Sequence, residues 1–403
     1  MHLLAFFSTI MLFVGPVILA IIGWPVEGDA VEGVHLYPTY YALLIYLFVA
    51  FLSKKIDVRY NREALLIVIF IFFWYVFNRT LGRSASKMIL FNSMILPAFY
   101  FVFFSSLKGI VIQNKIKTMI ILLFFINSLI AIYERIAMVN FFPFDVIRTD
   151  VNIGDISEKM IFRSSALLGH PLTNALIMAI IMVFVLLSDI KPLYKYTLYS
   201  IGMFGLFCFN SRASIMISGI TFGLYMIHPL FQREATVKQK LASISIIIVA
   251  IIGVLYLIEA GYGGRFEERG DFSSDSSALA RINVWGIFTK YDLDFFLWGM
   301  PGKDAEEIAN AVMGVANIEN WFIMSVMVVG LIVTTIVIMF FIPLFRKSLS
   351  SFSRFDSILI LLVVLGLSSA NNSLACGVPA IATFFVCCYA FKPYKNSFNR
   401  MFI

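Results

Sequence analysis

The sequence predicts an all-α polytopic membrane protein, with about 12 transmembrane helices and one large extracytoplasmic loop carrying short amphipathic helices. Three observations predict it. The 403-residue chain is 60% hydrophobic and only 14% charged, whereas soluble domains average about 45–50% apolar and about 25% charged. Apolar segments recur along the chain with lengths near the roughly 20 residues that span a bilayer. Lysines concentrate in alternate loops, as the positive-inside rule requires.

Taken in order, the predicted spans lie near 3–24, 38–53, 63–78, 88–106, 118–137, 170–188, 195–210, 213–231, 241–259, 320–345, 355–370 and 376–391. The first apolar run has no lysine or arginine ahead of it and is too long for a signal-peptide core, so it is expected to be a span. The loops expected in the cytoplasm carry Lys54, Lys55, Arg59 and Arg62; Lys108, Lys115 and Lys117; Lys191 and Lys195; Arg233, Lys238 and Lys240; and Arg346, Lys347 and Arg354. The tail adds Lys392, Lys395 and Arg400. This alternation puts both termini in the cytoplasm. It also accounts for most of the +7 net charge, so no nucleic-acid partner is implied. The four cysteines lie in or near apolar segments, which argues against a disulfide framework or a metal site.

Two outer loops are long, about 138–169 and about 260–319. The whole chain reads as one transmembrane domain, with 260–319 as a subdomain inserted between spans. That subdomain opens with Gly261-Tyr262-Gly263-Gly264-Arg265. A helix is expected from Ser276 to Lys290, with Leu279, Ile282, Trp285 and Phe288 on one face. A second is expected to start at Asp304, where Asp304 and Glu307 form a capping-box pattern. Ile308, Ala311, Val312 and Val315 would supply its apolar stripe. The simplest resting place for both helices is on the span ends, like a lid.

The arginines depart from this order. Arg79, Arg83, Arg135, Arg148, Arg163, Arg212, Arg265, Arg269 and Arg281 all fall on the outer side, where basic residues are scarce. Arginine is always charged and presents a planar fork of donors matched to phosphate and carboxylate. A set of them above a membrane core points to an anionic ligand at the outer surface.

Four constellations hold candidate site residues, each with a plainer reading beside it. Arg163-Ser-Ser-Ala-Leu-Leu-Gly-His170-Pro171, followed by Asn174, enters a span; the plain reading is an interfacial arginine and a proline at a helix start. Asn210-Ser211-Arg212 forms a tight turn, in which Ser211 could simply cap the next helix. Arg281 precedes Trp285 by one turn, with Trp298-Gly299 beyond; an amphipathic helix with a solvated arginine would look the same. Asn317-Ile318-Glu319-Asn320-Trp321 leads back into a span; Glu319 there could merely favour a helix dipole, and Trp321 suits the aromatic belt.

Together, these elements resemble the O-antigen ligase and Wzy-type polysaccharide polymerase superfamily, membrane glycosyltransferases of the GT-C type. The likeness covers about residues 160–335. It rests on Arg163 to Asn174, Ser211-Arg212, Arg281 to Gly299, and Glu319-Asn320. The ligase branch has a histidine where this chain has Glu319, and the departure leans the reading toward the polymerase branch. The resemblance implies transfer of a glycan from an undecaprenyl-pyrophosphate-linked donor to a sugar hydroxyl of a second lipid-linked acceptor, at the outer face of a bacterial inner membrane. On this reading Arg163 and Arg281, with Arg212 or Arg265, hold the pyrophosphate. Glu319 is the base, with His170 the other titratable candidate. No metal, nucleotide or other cofactor is implied, and a flippase and a chain-length regulator are the protein partners expected. Two alternatives stay open: an O-antigen ligase with a lipid A-core acceptor, and a flippase or other transporter, which would show broken helices in matching halves and ionisable residues at mid-membrane.

Overall fold

A computed structural model of the protein describes residues 1–24, 37–80, 89–142, 162–262, 283–289, 293–300, 302–313, 318, 320–370 and 380–393. Every regular element among the described residues is helical. In chain order these are α1 (His2–Met11), α2 (Pro16–Ile21), α3 (Pro38–Leu52), α4 (Arg62–Thr80), a π-helical stretch (Ile89–Ile95) continuing into α5 (Leu96–Ser106), α6 (Ile110–Ala137), α7 (Pro171–Leu187), α8 (Pro192–Cys208), α9 (Arg212–Phe231) and α10 (Val237–Glu259). A 3-10 turn (Val284–Thr289), α11 (Leu293–Trp298), α12 (Gly302–Met313), α13 (Trp321–Val329), α14 (Leu331–Leu349), α15 (Arg354–Ala370) and α16 (Ala380–Ala390) complete them. Five of these helices, α4, α6, α9, α10 and α14, are long and apolar enough to cross a membrane.

Local sequence explains many of the boundaries. Pro16, Pro38, Pro171 and Pro192 each occupy the first position of a helix, where the missing N–H costs nothing and the fixed φ is already helical. Thr236 and Gln239 form a reciprocal capping box, so α10 starts at Val237, earlier than its apolar run alone indicates. Two apolar runs expected to be continuous are broken. The run at 3–24 divides into α1 and α2, with Gly15 extended ahead of Pro16, because proline cannot continue a helix from the residue before it. The run at 320–345 divides at Gly330, whose φ is +89°.

The chain folds into two compact units. The first comprises Met1–Ile120, Phe272–Phe352 and Ser368–Lys392. Its centre is α5, where Leu96 through Phe104 are all buried and α3, α4 and α16 pack around them. The Tyr100 hydroxyl donates to the Ser8 carbonyl at 2.7 Å. Lys347 reaches the Glu63 carboxylate and the Tyr60 carbonyl, joining α14 to α4.

The described part of the large loop from Asn283 on belongs to this unit and packs at the adjoining ends of α13 and α14. Gly299 (φ +83°) and Gly330 meet so closely that a Cβ on Gly330 would stand 2.2 Å from the Leu297 carbonyl oxygen. The Met300 N–H donates to the Met327 carbonyl at 2.8 Å. The end of α11 therefore inserts at the break between α13 and α14, and the glycines permit it. The ring of Trp298 stacks on Trp74 of α4, centroids 5.3 Å apart. Of the helix expected over 276–290, the described portion is the 3-10 turn Val284–Thr289. Helix α12 begins at Gly302, two residues before Asp304, and buries Ala305 and Ala309 while Ala311 is exposed. Its inward face is thus offset from the predicted stripe.

The second unit comprises Ile121–Asp271, Ser353–Leu367 and Pro393–Ile403. Helix α7 is its core, packed by α8 and α9. Lys195, expected in a cytoplasmic loop, lies instead within α8. Its buried ammonium donates to the Tyr225 hydroxyl at 3.3 Å.

Candidate functional site

The site is built in the second unit from the segment Phe162–His170, which leads into α7 without regular structure. Its backbone polar groups need partners, because they are buried. The Ser164 N–H donates to the Cys208 carbonyl at 3.1 Å, and the Arg163 Nε donates to the Phe209 carbonyl at 3.2 Å. These two bonds lay the segment along the turn Asn210-Ser211-Arg212, so the first two constellations of the sequence come together. Asn210 adopts φ +52° there, a left-handed conformation that asparagine tolerates. Ser211 is the N-terminal cap residue of α9, but its hydroxyl donates to Ser214 Oγ at 3.0 Å and does not accept from the helix backbone. Arg212 opens α9 and is half-buried.

Three asparagines and one glutamate hold the segment in place. Asn127 Oδ1 accepts from the Leu167 N–H at 3.0 Å, and Asn140 Oδ1 accepts from the Ser165 N–H at 3.0 Å. Asn174 Nδ2 donates to the carbonyls of Ser165 and His170. Glu134, fully buried in the last turn of α6, accepts from the backbone of Phe141, Ser165 and Ala166 at 2.8–2.9 Å. Asn127 Nδ2 and Asn174 Oδ1 are buried and have no hydrogen-bond partner among the described residues.

His170 is the N-cap residue of α7 and makes no capping bond through its ring. It is half-buried, with the charge of Arg163 acting on it, and a neutral imidazole there offers one donor and one acceptor.

The predicted site residues divide three ways. Arg163, His170 and Arg212 are brought together around one turn of chain. Glu319, Arg281 and Arg265 lie outside the described residues. Arg135, one of the outward arginines, is withdrawn from any ligand: it is buried and donates to the carbonyls of Phe162 and Gly261, with the rings of Phe162 and Tyr262 beside it. Asn320 caps α13 by accepting from the Ile323 N–H, and it donates to the Ser369 carbonyl at 3.2 Å.

Sequence reasoning passed over Glu134, Asn127 and Asn140. A signal for the first two was present. They stand seven residues apart in the mainly apolar second half of α6, hence on one face, and ionisable groups in such helices face the protein interior. No group of His, Cys, Asp or Glu able to hold a metal ion occurs among the described residues. No family model and no curated protein matches the chain.

Proposed function

We propose that the protein is a multi-pass membrane glycosyltransferase that polymerises polysaccharide repeat units, in the manner of the Wzy-type polymerases it resembles. In this reading about 12 segments span a bacterial inner membrane, both termini are cytoplasmic, and residues 260–319 face outward. The donor is a glycan on undecaprenyl pyrophosphate, and the acceptor is a sugar hydroxyl of a second lipid-linked glycan. The observation that carries the reading is the meeting of Arg163 with the Arg212 turn at the mouth of α7, beside His170. Two guanidinium-bearing segments at one helix mouth suit a diphosphate, which arginine binds bidentately. Charge developing on the leaving pyrophosphate would be stabilised there.

Glu319 is the proposed base for the acceptor hydroxyl. General-base efficiency is greatest when the pKa lies near the working pH. His170 stands under the charge of Arg163, and its proposed role is hydrogen bonding at the donor.

A lipid-linked oligosaccharide flippase is the second reading. Its support is the pair of broken helices, at Gly15–Pro16 and at Gly330, a feature transporters share. Both breaks fall in the first unit, however, and not in matching halves.

The deciding experiment supplies purified protein in nucleotide-free detergent with lipid-linked repeat units. Products lengthened by whole repeats are expected. Unchanged substrate would refute the polymerase, and transfer to lipid A-core alone would make the protein a ligase. Orientation is tested by single cysteines at Ser274 and Asn396 in a cysteine-free background. An impermeant thiol reagent should label the first and not the second in intact spheroplasts, and the reverse would sink the topology.

A further inference from the structure

The carboxylate of Glu134 touches neither Arg163 nor His170, yet it governs the backbone between them. Its Oε2 accepts from the N–H groups of Ser165 (2.9 Å) and Ala166 (2.8 Å). Its Oε1 accepts from the Phe141 N–H at 2.8 Å and from the Ser165 hydroxyl at 3.4 Å. All four donors are neutral. Both oxygens must therefore be acceptors, a demand that only a carboxylate meets at this length of side chain.

Ala166 carries the second observation. Its φ is +41°, in the left-handed region where a Cβ is strained. Such a conformation persists only where its surroundings over-determine it, and it recurs at ligand-holding sites. Glu134 supplies that determination directly, through the Ala166 N–H. Three residues before Ala166 stands Arg163, and four residues after it stands His170, so the strained turn sets the angle between the two.

We propose that Glu134 is a positioning residue: its carboxylate holds the Ser165–Ala166 turn so that Arg163 and His170 face one ligand together. This deepens the anion-holding reading of Arg163 and rests on it. The ligand class is the same, a pyrophosphate-bearing lipid. The new element is a buried anion that orders the cationic segment through its backbone and leaves the arginine fork unengaged by that carboxylate.

The test is hydrogen–deuterium exchange on the full-length protein in detergent, with inorganic pyrophosphate as probe. In Glu134→Gln one oxygen becomes an NH2, which opposes the Ser165 and Ala166 N–H groups in one orientation and the Phe141 N–H in the other, so either way the hold on the turn is weakened. Exchange across Phe162–His170 should rise about 10-fold to 100-fold, the range for losing one buried hydrogen bond. The helices Pro192–Cys208 and Val237–Glu259 should keep their rates. Glu134→Asp, with charge retained and reach shortened, should lie between. Adding Ala166→Gly to Glu134→Gln should restore part of the protection, because glycine adopts φ +41° without strain. Unchanged exchange in Glu134→Gln, a rise spread evenly over the helices, or no rescue by glycine would each overturn the proposal. In the wild type, pyrophosphate should slow exchange in the same segment, and Glu134→Gln should lose that response. A wild type indifferent to pyrophosphate would overturn the ligand reading of Arg163, while the exchange pattern would still decide the role of Glu134.

Discussion

Helices α7 and α10 belong to the same unit, and both are strongly apolar, yet they have opposite fates. Every residue of α7 except Leu172 and Leu187 is buried. In α10, which is the most apolar of the five long helices, Ser243 alone is buried. Ile248, Val249, Ile252 and Leu255 are all more than half exposed. Apolarity thus does not rank helices by depth in this protein, as it would in a water-soluble one. A bilayer receives apolar side chains as readily as a protein core does, so packing inside the protein is decided by other features. The buried helix carries Thr173 and Asn174 at its mouth, where a lipid-facing helix would leave polar groups unsatisfied.

Function should divide along the same line. The largest effects belong to the mouth of α7 and to its proposed counterpart. Glu319→Gln keeps shape and polarity but cannot accept a proton, and it should reduce the in vitro polymerisation rate by about 10²–10⁴-fold. A loss under about threefold would remove Glu319 from the base role. Arg163→Lys keeps charge but not the planar fork. It should cost about 10²-fold in rate at normal protein level. Lys238→Arg, at the start of α10, should cost nothing by the same assay.

Stability should follow burial. Ile180 in α7 is fully buried, and Ile180→Ala leaves a cavity worth about 2–5 kcal/mol. Ile248 in α10 is 51% exposed, so Ile248→Ala should cost less than about 1 kcal/mol. Thermal melting in detergent would compare them, and equal losses would break the distinction between the two helices.

The broad architecture was legible because it depends on local chemistry. Apolar length marked the long helical segments, and Pro171 marked the start of α7. The meeting of Arg163 with the Arg212 turn was half legible: both motifs were visible, and their contact was not. The break at Gly330 was not legible at all, since its cause is the approach of Leu297–Gly299, some thirty residues earlier in the chain.

The sequence by itself determined that this chain is helical and rich in segments fit for a membrane, because helix propensity, capping and apolar length act over a few neighbouring residues. Only the tertiary structure decided which apolar helix is core, which arginine is withdrawn from solvent and which glutamate orders the site. Those outcomes depend on the partners each group finds. Arg135 and Arg163 are the same residue type on the same expected side, and the first is buried against two carbonyls while the second lines a helix mouth. The motif after Arg163 set it apart as a candidate, but nothing near Arg135 marked it for burial, since that outcome lies in which distant carbonyl groups the fold brings within hydrogen-bonding distance.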